Sequence, residues 1–263
     1  MTKKEILEQR QMLVVQSNDI VREAKNLLTA QEQNMLYYLI SKIKPADTDF
    51  MTIHTTVGEV CEIFGISAVG DNYKDMKKAL KALADKSVLA IHKNEKGQTS
   101  ETLMRWLDTY TIHKDTGKMT ATLSQSVKPF LIGLVKKGNY TQAELITYLG
   151  LKSKYAKRLY EILKSYIHMK YPFAYKLVTV KYELDELLRL LDAESYKAYK
   201  HVRERILDPA IAEITAVSDI LVSYEPKKTG RKVTAIEFTT QCKEPYERII
   251  AMSNASTTLN RQV

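Results

Sequence analysis

Basic side chains recur at helical spacing and at one hairpin tip, where they could bind the phosphates and base edges of a nucleic acid. One set lies in a predicted helix of the first half of the chain, a second in a predicted helix of the second half, and a third in the hairpin that follows. These sets are Lys74, Lys77, Lys78 and Lys81; Lys197, Lys200, His201 and Arg203; and Lys227, Lys228, Arg231 and Lys232. With 40 basic against 31 acidic residues, the 263-residue chain carries a net charge of +9, which favours a polyanionic partner.

Local signatures of catalysis and of metal binding are missing from the sequence. The five histidines include no pair at H-x-H or H-x-x-x-H spacing, and the two cysteines lack C-x-x-C spacing. No phosphate-binding loop, dinucleotide fingerprint or G-x-S-x-G motif occurs. We therefore expect no enzyme activity, no metal and no cofactor. The 16 tyrosines leave a tyrosine-dependent DNA-nicking enzyme open as a remote alternative.

Length and composition predict one large or two small globular domains. Apolar residues make up 44% of the chain, which is ample material for a core. No apolar run approaches the length of a membrane span, and residues 1–10 are too polar for a signal peptide. Together with the low cysteine content, these features predict a cytoplasmic protein.

The elements predicted in the first half follow the order helix, strand, helix, helix and hairpin. Two capping boxes, Thr29 with Glu32 and Thr56 with Glu59, mark the starts of two of these helices. Hydrophobic periodicity and turn residues place the elements as follows: helices at 18–25, 29–43, 57–64 and 71–86, strands at 51–53, 88–92, 102–113 and 118–123, and turns at 96–97 and 116–117. This order is that of a winged helix, in which a helix-turn-helix precedes a β-wing.

The same order recurs in the second half at an offset of 127 residues, with Met51 matching Val178 and Val60 matching Leu187. Its predicted elements are helices beginning at 153 and spanning 182–191 and 196–214, and strands at 177–180, 220–224 and 233–239. We predict an α+β, helix-rich fold of two tandem winged-helix domains related by internal duplication. The expected organisation is a flexible N-terminus at 1–11, domains at 12–137 and 138–242, and a flexible tail at 243–263.

Two helices of the second half are predicted to expose basic faces. In the helix over 196–214, Tyr199, Val202 and Ile206 point inward, whereas Lys197, Lys200, His201 and Glu204 point outward and Arg203 lies on the flank. Ser195 and Lys197 lie near its start, where helix-turn-helix proteins make base contacts, and Pro209 is expected to kink it. In the helix beginning at Ser153, the predicted exposed basic residues are Lys152, Lys154, Lys157, Arg158 and Lys164. We include Lys154 and Lys157 among the candidate DNA contacts.

The sequence resembles a known family, the plasmid replication initiator (Rep) proteins of the iteron-binding type, which have tandem winged-helix domains. The resemblance covers about residues 12–240. The stretches that carry it are 15–20 leading into 28–33, 153–163, 196–214, and 227–233. The stretch over 153–163 is close to the family's signature.

The resemblance implies a protein that binds directly repeated sites at a plasmid origin in a bacterial cytoplasm, opens the origin as a monomer, and loads the host replication initiator and helicase. It also implies dimers that are joined through the N-terminal domain and repress their own gene. By matched position, the long helix of the second domain would read bases, with Arg203 as the leading contact. Ala198 and Glu204 depart from basic residues that relatives can carry there, so the site sequence is expected to differ.

A transcriptional repressor with the same fold and no role in initiation stays open as an alternative, because both functions need the same groove contacts. The lysines of the first domain are expected to hold phosphates, and the basic wing tip to grip the backbone beside the groove. A short strand around 103–110 could pair across a twofold axis in a dimer.

Overall fold

The structure is a computed structural model that describes residues 1–44, 46–93, 99–113, 115–167 and 177–260. The predicted turn at 96–97 lies outside these residues. Across the described ranges, no helix combines the length and the apolar character needed to cross a membrane.

The first half of the chain contains six α-helices and seven strands within the part that the structure describes. In chain order they are α1 (Lys3–Arg10), β1 (Leu13–Ser17), α2 (Asn18–Glu23), β2 (Lys25–Asn26), α3 (Ala30–Ile40), β3 (Ile53–Thr56), α4 (Val57–Phe64), α5 (Gly70–Asp85), β4 (Ser87–Lys93), β5 (Thr99–Arg105), β6 (Leu107–Ile112), β7 (Lys118–Leu123) and α6 (Leu134–Lys137). A 3₁₀ helix at Gln125–Phe130 precedes α6.

The second half begins with a strand that returns to the first half. Its elements are β8 (Tyr140–Glu144), α7 (Leu145–Gly150), α8 (Lys154–Lys164), β9 (Val178–Glu183), α9 (Leu184–Leu190), α10 (Tyr199–Val202), α11 (Asp208–Val217), β10 (Ile220–Thr229), β11 (Lys232–Cys242) and α12 (Pro245–Asn260). A π turn over Arg203–Leu207 joins α10 to α11 into one long helix.

Local capping sets the helix boundaries where the sequence predicts them. The Thr29 hydroxyl accepts from the backbone N–H of Glu32, and the Glu32 carboxylate accepts from the backbone N–H of Thr29 in return. Thr56 and Glu59 form the same reciprocal pair at the start of α4. Gly65 ends that helix in the left-handed conformation, with φ of 69°. Both predicted capping boxes and the predicted stop are confirmed.

The winged-helix order is present twice, which confirms the predicted fold class. The starts of β1 and β8 differ by 127 residues, as do those of α4 and α9. The two wing sheets have matching strand orders, β3-β7-β6 and β9-β11-β10. The first half also contains an inserted sheet, β2-β4-β5. The single strand predicted over 102–113 is in fact two strands, β5 and β6, which separate at the buried Trp106.

The two repeats are joined by their equivalent first strands. β1 and β8 pair in antiparallel register with Val15 opposite Gln142, residues that are themselves 127 positions apart. A local pseudo-twofold axis therefore passes through this pair. Three tyrosine rings, from α3, α7 and α8, form one contiguous cluster. Tyr37 and Tyr148 stack with centroids 4.2 Å apart, and Tyr148 meets Tyr160 edge-on at 5.5 Å.

The prediction that the N-terminus is flexible is wrong. Thr2 and Glu5 form a capping box at the start of α1, and Arg10 at its end is buried. The Arg10 guanidinium donates to the carbonyls of Ile63 at 2.8 Å and of Glu62 at 3.2 Å, so it caps the last turn of α4. This contact spans more than 50 residues, and the composition of the segment gives no sign of it.

The prediction of a flexible C-terminal tail is also wrong, because α12 buries Ala251, Ala255 and Leu259 along one face. Two glycines permit its close approach to both halves. A Cβ on Gly150 would lie 2.8 Å from the Cβ of Ala255, and a Cβ on Gly65 would lie 2.3 Å from the carbonyl oxygen of Leu259. Although the segment is polar overall, small residues at these contacts allow α12 to pack closely against both halves.

Candidate nucleic-acid interface

The long helix over 199–217 presents the predicted polar face to solvent. Val202, Ile206 and Ala210 are buried beneath it, whereas Lys200, His201, Arg203 and Glu204 are exposed. The helix begins at Tyr199 rather than Tyr196, with Ala198 as its extended N-cap residue. The predicted inward and outward faces are confirmed, and the exposed set lies in the first two turns, where an inserted helix meets base edges.

A π turn accompanies Pro209, at which the sequence predicts a kink. The backbone N–H of Asp208 donates to the carbonyl of Arg203, five residues earlier, rather than to that of Glu204. Proline cannot donate a backbone hydrogen bond, so the ladder must adjust beside it. Here the adjustment takes the form of one widened turn within an otherwise continuous helix.

Ser195 and Lys197 lie in the turn before this helix and not within it, although both are exposed close to its N-terminus. The ammonium of Lys197 donates to the backbone carbonyl of Glu194 at 2.9 Å. A contact with α8 holds that turn in place. Asp192, in the left-handed conformation with φ of 53°, accepts from Lys154 at 3.0 Å. Sequence reasoning missed Asp192, because this contact joins elements that are far apart in the chain.

The wing is longer and its turn tighter than the sequence predicts. β10 and β11 extend to a two-residue turn at Gly230 and Arg231, with a register shift between Lys227 and Lys228. Lys228, Arg231 and Lys232 are exposed around this tip. Lys227 instead forms ion pairs with Glu237 at 2.6 Å and Glu225 at 3.0 Å, and these hydrogen bonds raise its pKa. Three of the four predicted wing cations are therefore directed to solvent.

An open groove of about 770 Å³ separates the long helix from the wing. The predicted site residues that line it are Lys197, Arg203, Lys228, Arg231 and Lys232, together with Tyr199 and Tyr224. The fold thus brings the helix set and the wing set to the two sides of one concave, basic surface. Such a surface concentrates positive potential where a phosphate backbone could lie.

The equivalent helix of the first half, α5, exposes Lys74, Lys78 and Lys81 as predicted, whereas Lys77 is half-buried. Lys74 pairs with Asp71 at 3.1 Å and Lys78 with Asp75 at 3.2 Å, while Lys77 lies over the Tyr73 ring at 4.4 Å. Lys81 is exposed one turn further along. Surface pairs of this kind are weak, so the lysines remain available to a polyanion. The mixed charge makes this face less basic than the groove of the second half.

The sequence matches the family described as Initiator Replication protein, WH1, over residues 13–164, and its companion, Initiator Rep protein, WH2, over residues 183–240. The first match alone covers more than half of the chain. The protein belongs to this family of replication initiators.

Individual relatives are distant. The PI protein of Escherichia coli is 24% identical over 155 residues, which are 56% of this chain and 50% of that protein, so the match spans about half the length of this curated relative. The crystal structure of Pi initiator protein in complex with iteron DNA superposes with a TM-score of 0.70 at 17% identity, covering 89% of this chain and 99% of that one. Domains 2 and 3 of RctB give a TM-score of 0.50 at 12% identity, with 88% and 86% covered. At these identities, the two structures establish a shared fold.

The signature stretch of this initiator, 153–163, lies at the centre of the molecule and not on its surface. The prediction that Lys157, Arg158 and Lys164 are exposed is wrong, because their exposed fractions are 0%, 4% and 4%. Lys157 donates to the carbonyl of Tyr148, and burial lowers its pKa to about 7. Lys154 is half-buried and paired with Asp192. Lys157 therefore has no surface from which to contact DNA.

The buried face of α8 instead holds the two winged helices together. Arg158 pairs with Glu161 at 3.2 Å and donates to the carbonyl of Ala24 in the first half at 2.5 Å. The other oxygen of Glu161 accepts from the amide of Gln16 in β1 at 2.6 Å. Two stretches that carry the family resemblance thus contact each other across the junction.

Proposed function

We propose that this initiator binds directly repeated sites in duplex DNA at a plasmid origin and starts replication there. The observation that carries the proposal is the basic groove between the long helix of the second domain and its wing, built on a helix-turn-helix plan that occurs twice in the chain. The similar fold described as Pi initiator in complex with iteron DNA supports the same reading.

In this proposal the second domain, 138–242, reads sequence and the first, 12–137, contacts the backbone. Arg203 is the leading base contact, while Ser195, Lys197, Lys200 and His201 read or flank the same groove. The groups that would bind phosphates are Lys74, Lys77, Lys78 and Lys81 of α5, and Lys227, Lys228, Arg231 and Lys232 of the wing. Lys154 would act indirectly, by holding the turn before the long helix.

The proposed action needs no catalytic step. The protein would work in the bacterial cytoplasm on the plasmid, open the origin, and recruit the host replication initiator and helicase. It would also repress its own gene by occupying repeats there. To separate an initiator from a simple repressor, a plasmid that lacks its own initiator gene is supplied with this protein. Replication that depends on the origin supports initiation, whereas repression without replication contradicts it.

The central test is a binding titration on a duplex with the repeats that flank the gene and on a shuffled duplex, across a salt series. We expect a preference of about a thousandfold or more at physiological salt. Arg203→Ala should weaken binding to the repeats by about 1–3 kcal/mol and relax one base position. Arg205→Ala, which removes the same charge from the same helix, is the matched control. Equal losses on both duplexes for Arg203→Ala would exclude its role in base readout.

For the dimer we propose that β5 pairs with β5 of a second copy. Among the described strands, β4 is the only one that pairs with β5, so β5 is an edge strand, and Leu103 on it is 71% exposed. Leu103→Glu should shift the monomer–dimer equilibrium toward the monomer by at least tenfold, because it places like charges on an edge that pairs with itself. Sedimentation velocity measures the shift. An unchanged equilibrium would show that the dimer does not form through β5.

A further inference from the structure

The widened turn of the long helix brings together two side chains that a regular helix would separate. In an α-helix, residues five apart lie on different faces, because each residue turns the chain by about 100°. The π turn closes over five residues, so Asp208 lies beneath Arg203. The Asp208 carboxylate approaches the guanidinium of Arg203, with Oδ2 3.9 Å from Nε. π turns are frequently found at functional sites.

The wing holds the same carboxylate from the other side. The Tyr224 hydroxyl, on β10, donates to Oδ1 of Asp208 at 2.6 Å, and the Tyr224 ring packs against Phe238 with centroids 6.2 Å apart. Burial and the neighbouring carboxylate raise the pKa of Tyr224, so the phenol stays protonated and acts as the donor. One oxygen of Asp208 is thus fixed by the wing, and the other faces Arg203.

We propose that Asp208 and Tyr224 are positioning residues that orient the Arg203 guanidinium for base readout. This inference rests on the proposed function. An arginine that is already oriented loses less conformational freedom when it binds a base edge. The Asp208 carboxylate also repels the phosphates of every duplex, which lowers the affinity for repeat and shuffled DNA alike and leaves the preference to the Arg203 base contact.

Asp208→Asn keeps the shape of the side chain and removes its charge, and the comparison of the two duplexes separates the lost orientation of Arg203 from the lost repulsion of phosphates. We expect binding to the repeat duplex to weaken by roughly tenfold, the range of one good base contact. Binding to the shuffled duplex should stay unchanged or tighten, so the preference falls by at least about tenfold. Tyr224→Phe should change the preference in the same direction by a smaller factor. Asp185→Asn, at an exposed site on α9, is the control for net charge and should leave the preference unchanged.

A double-mutant cycle shows whether Asp208 acts through Arg203. In an Arg203→Ala background, Asp208→Asn should cause no further fall in preference. A further fall there, an unchanged preference in Asp208→Asn alone, or parallel losses on both duplexes would each overturn the inference. A wild-type protein with no preference for the repeats would instead refute the proposed function. Unchanged thermal unfolding of each variant establishes that the fold is intact.

Discussion

Replacing Arg158 with methionine is expected to lower the free energy of unfolding by about 3–5 kcal/mol, the usual cost of removing one partner of a buried ion pair. The Glu161 carboxylate, 2% exposed, would lose its cation, and the carbonyl of Ala24 would lose its donor. Gln16 donates only to the other carboxylate oxygen and cannot replace the charge. Urea unfolding followed by circular dichroism gives the midpoint and the slope from which the change is obtained.

Two further variants make this result specific. Arg158→Met combined with Glu161→Leu removes both charges and should recover most of the loss, because no buried charge is left without its partner. Lys181→Met breaks an exposed pair with Glu183 and should change stability by less than about 1 kcal/mol. If Arg158→Met alone stays within 1 kcal/mol of the wild type, the junction does not depend on this pair.

Removing the three exposed wing cations together should weaken binding to every duplex by about a hundredfold at 0.15 M salt. Each lost phosphate contact reduces the slope of log affinity against log salt by about 0.9, so Lys228→Ala, Arg231→Ala and Lys232→Ala together should reduce it by nearly three. The preference for repeats over shuffled DNA should hardly change, because backbone contacts carry no sequence information directly. The same two-duplex titration measures affinity, slope and preference.

A charge-preserving variant is the matched control for the wing. Lys228→Arg with Lys232→Arg keeps both positive charges at the same strand positions, so it neutralises the same number of phosphates and should bind like the wild type. A large fall in preference for the triple variant would mean that the wing reads bases. Unchanged affinity would mean that DNA does not reach the wing, and that the duplex does not lie in the groove as proposed.

The repeated winged-helix order could be predicted from the sequence because the signals that specify it are local. Capping boxes act over three residues, and a helix shows its buried face through a spacing of three or four. Thr29, Thr56 and Gly65 therefore mark element ends that the structure confirms. The outward face of the long helix follows in the same way from the inward positions of Val202 and Ile206.

Periodicity predicted the wrong exposure where residues that are distant in the chain cover the polar side of a helix. The polar side of α8 has the pattern of a surface helix, yet Lys157, Arg158 and Lys164 are buried there. Their partners include Ala24 and Asp219, which lie 134 and 55 residues away from the groups they contact. A charged side chain can be buried when hydrogen-bond and ion-pair partners compensate its loss of water. Ala24 and Asp219 cannot be identified as such partners from the residues within one turn of α8.

The sequence by itself determined the repeated fold, the family, and the helix and wing that present basic groups. The tertiary structure alone decided that the two ends of the chain dock, since Arg10 and Asn260 meet across 250 residues. It also decided that Asp208 lies between Arg203 and the wing. The reason is physical: helix starts and faces depend on neighbours within a few residues, whereas burial and charge pairing depend on which distant surfaces meet.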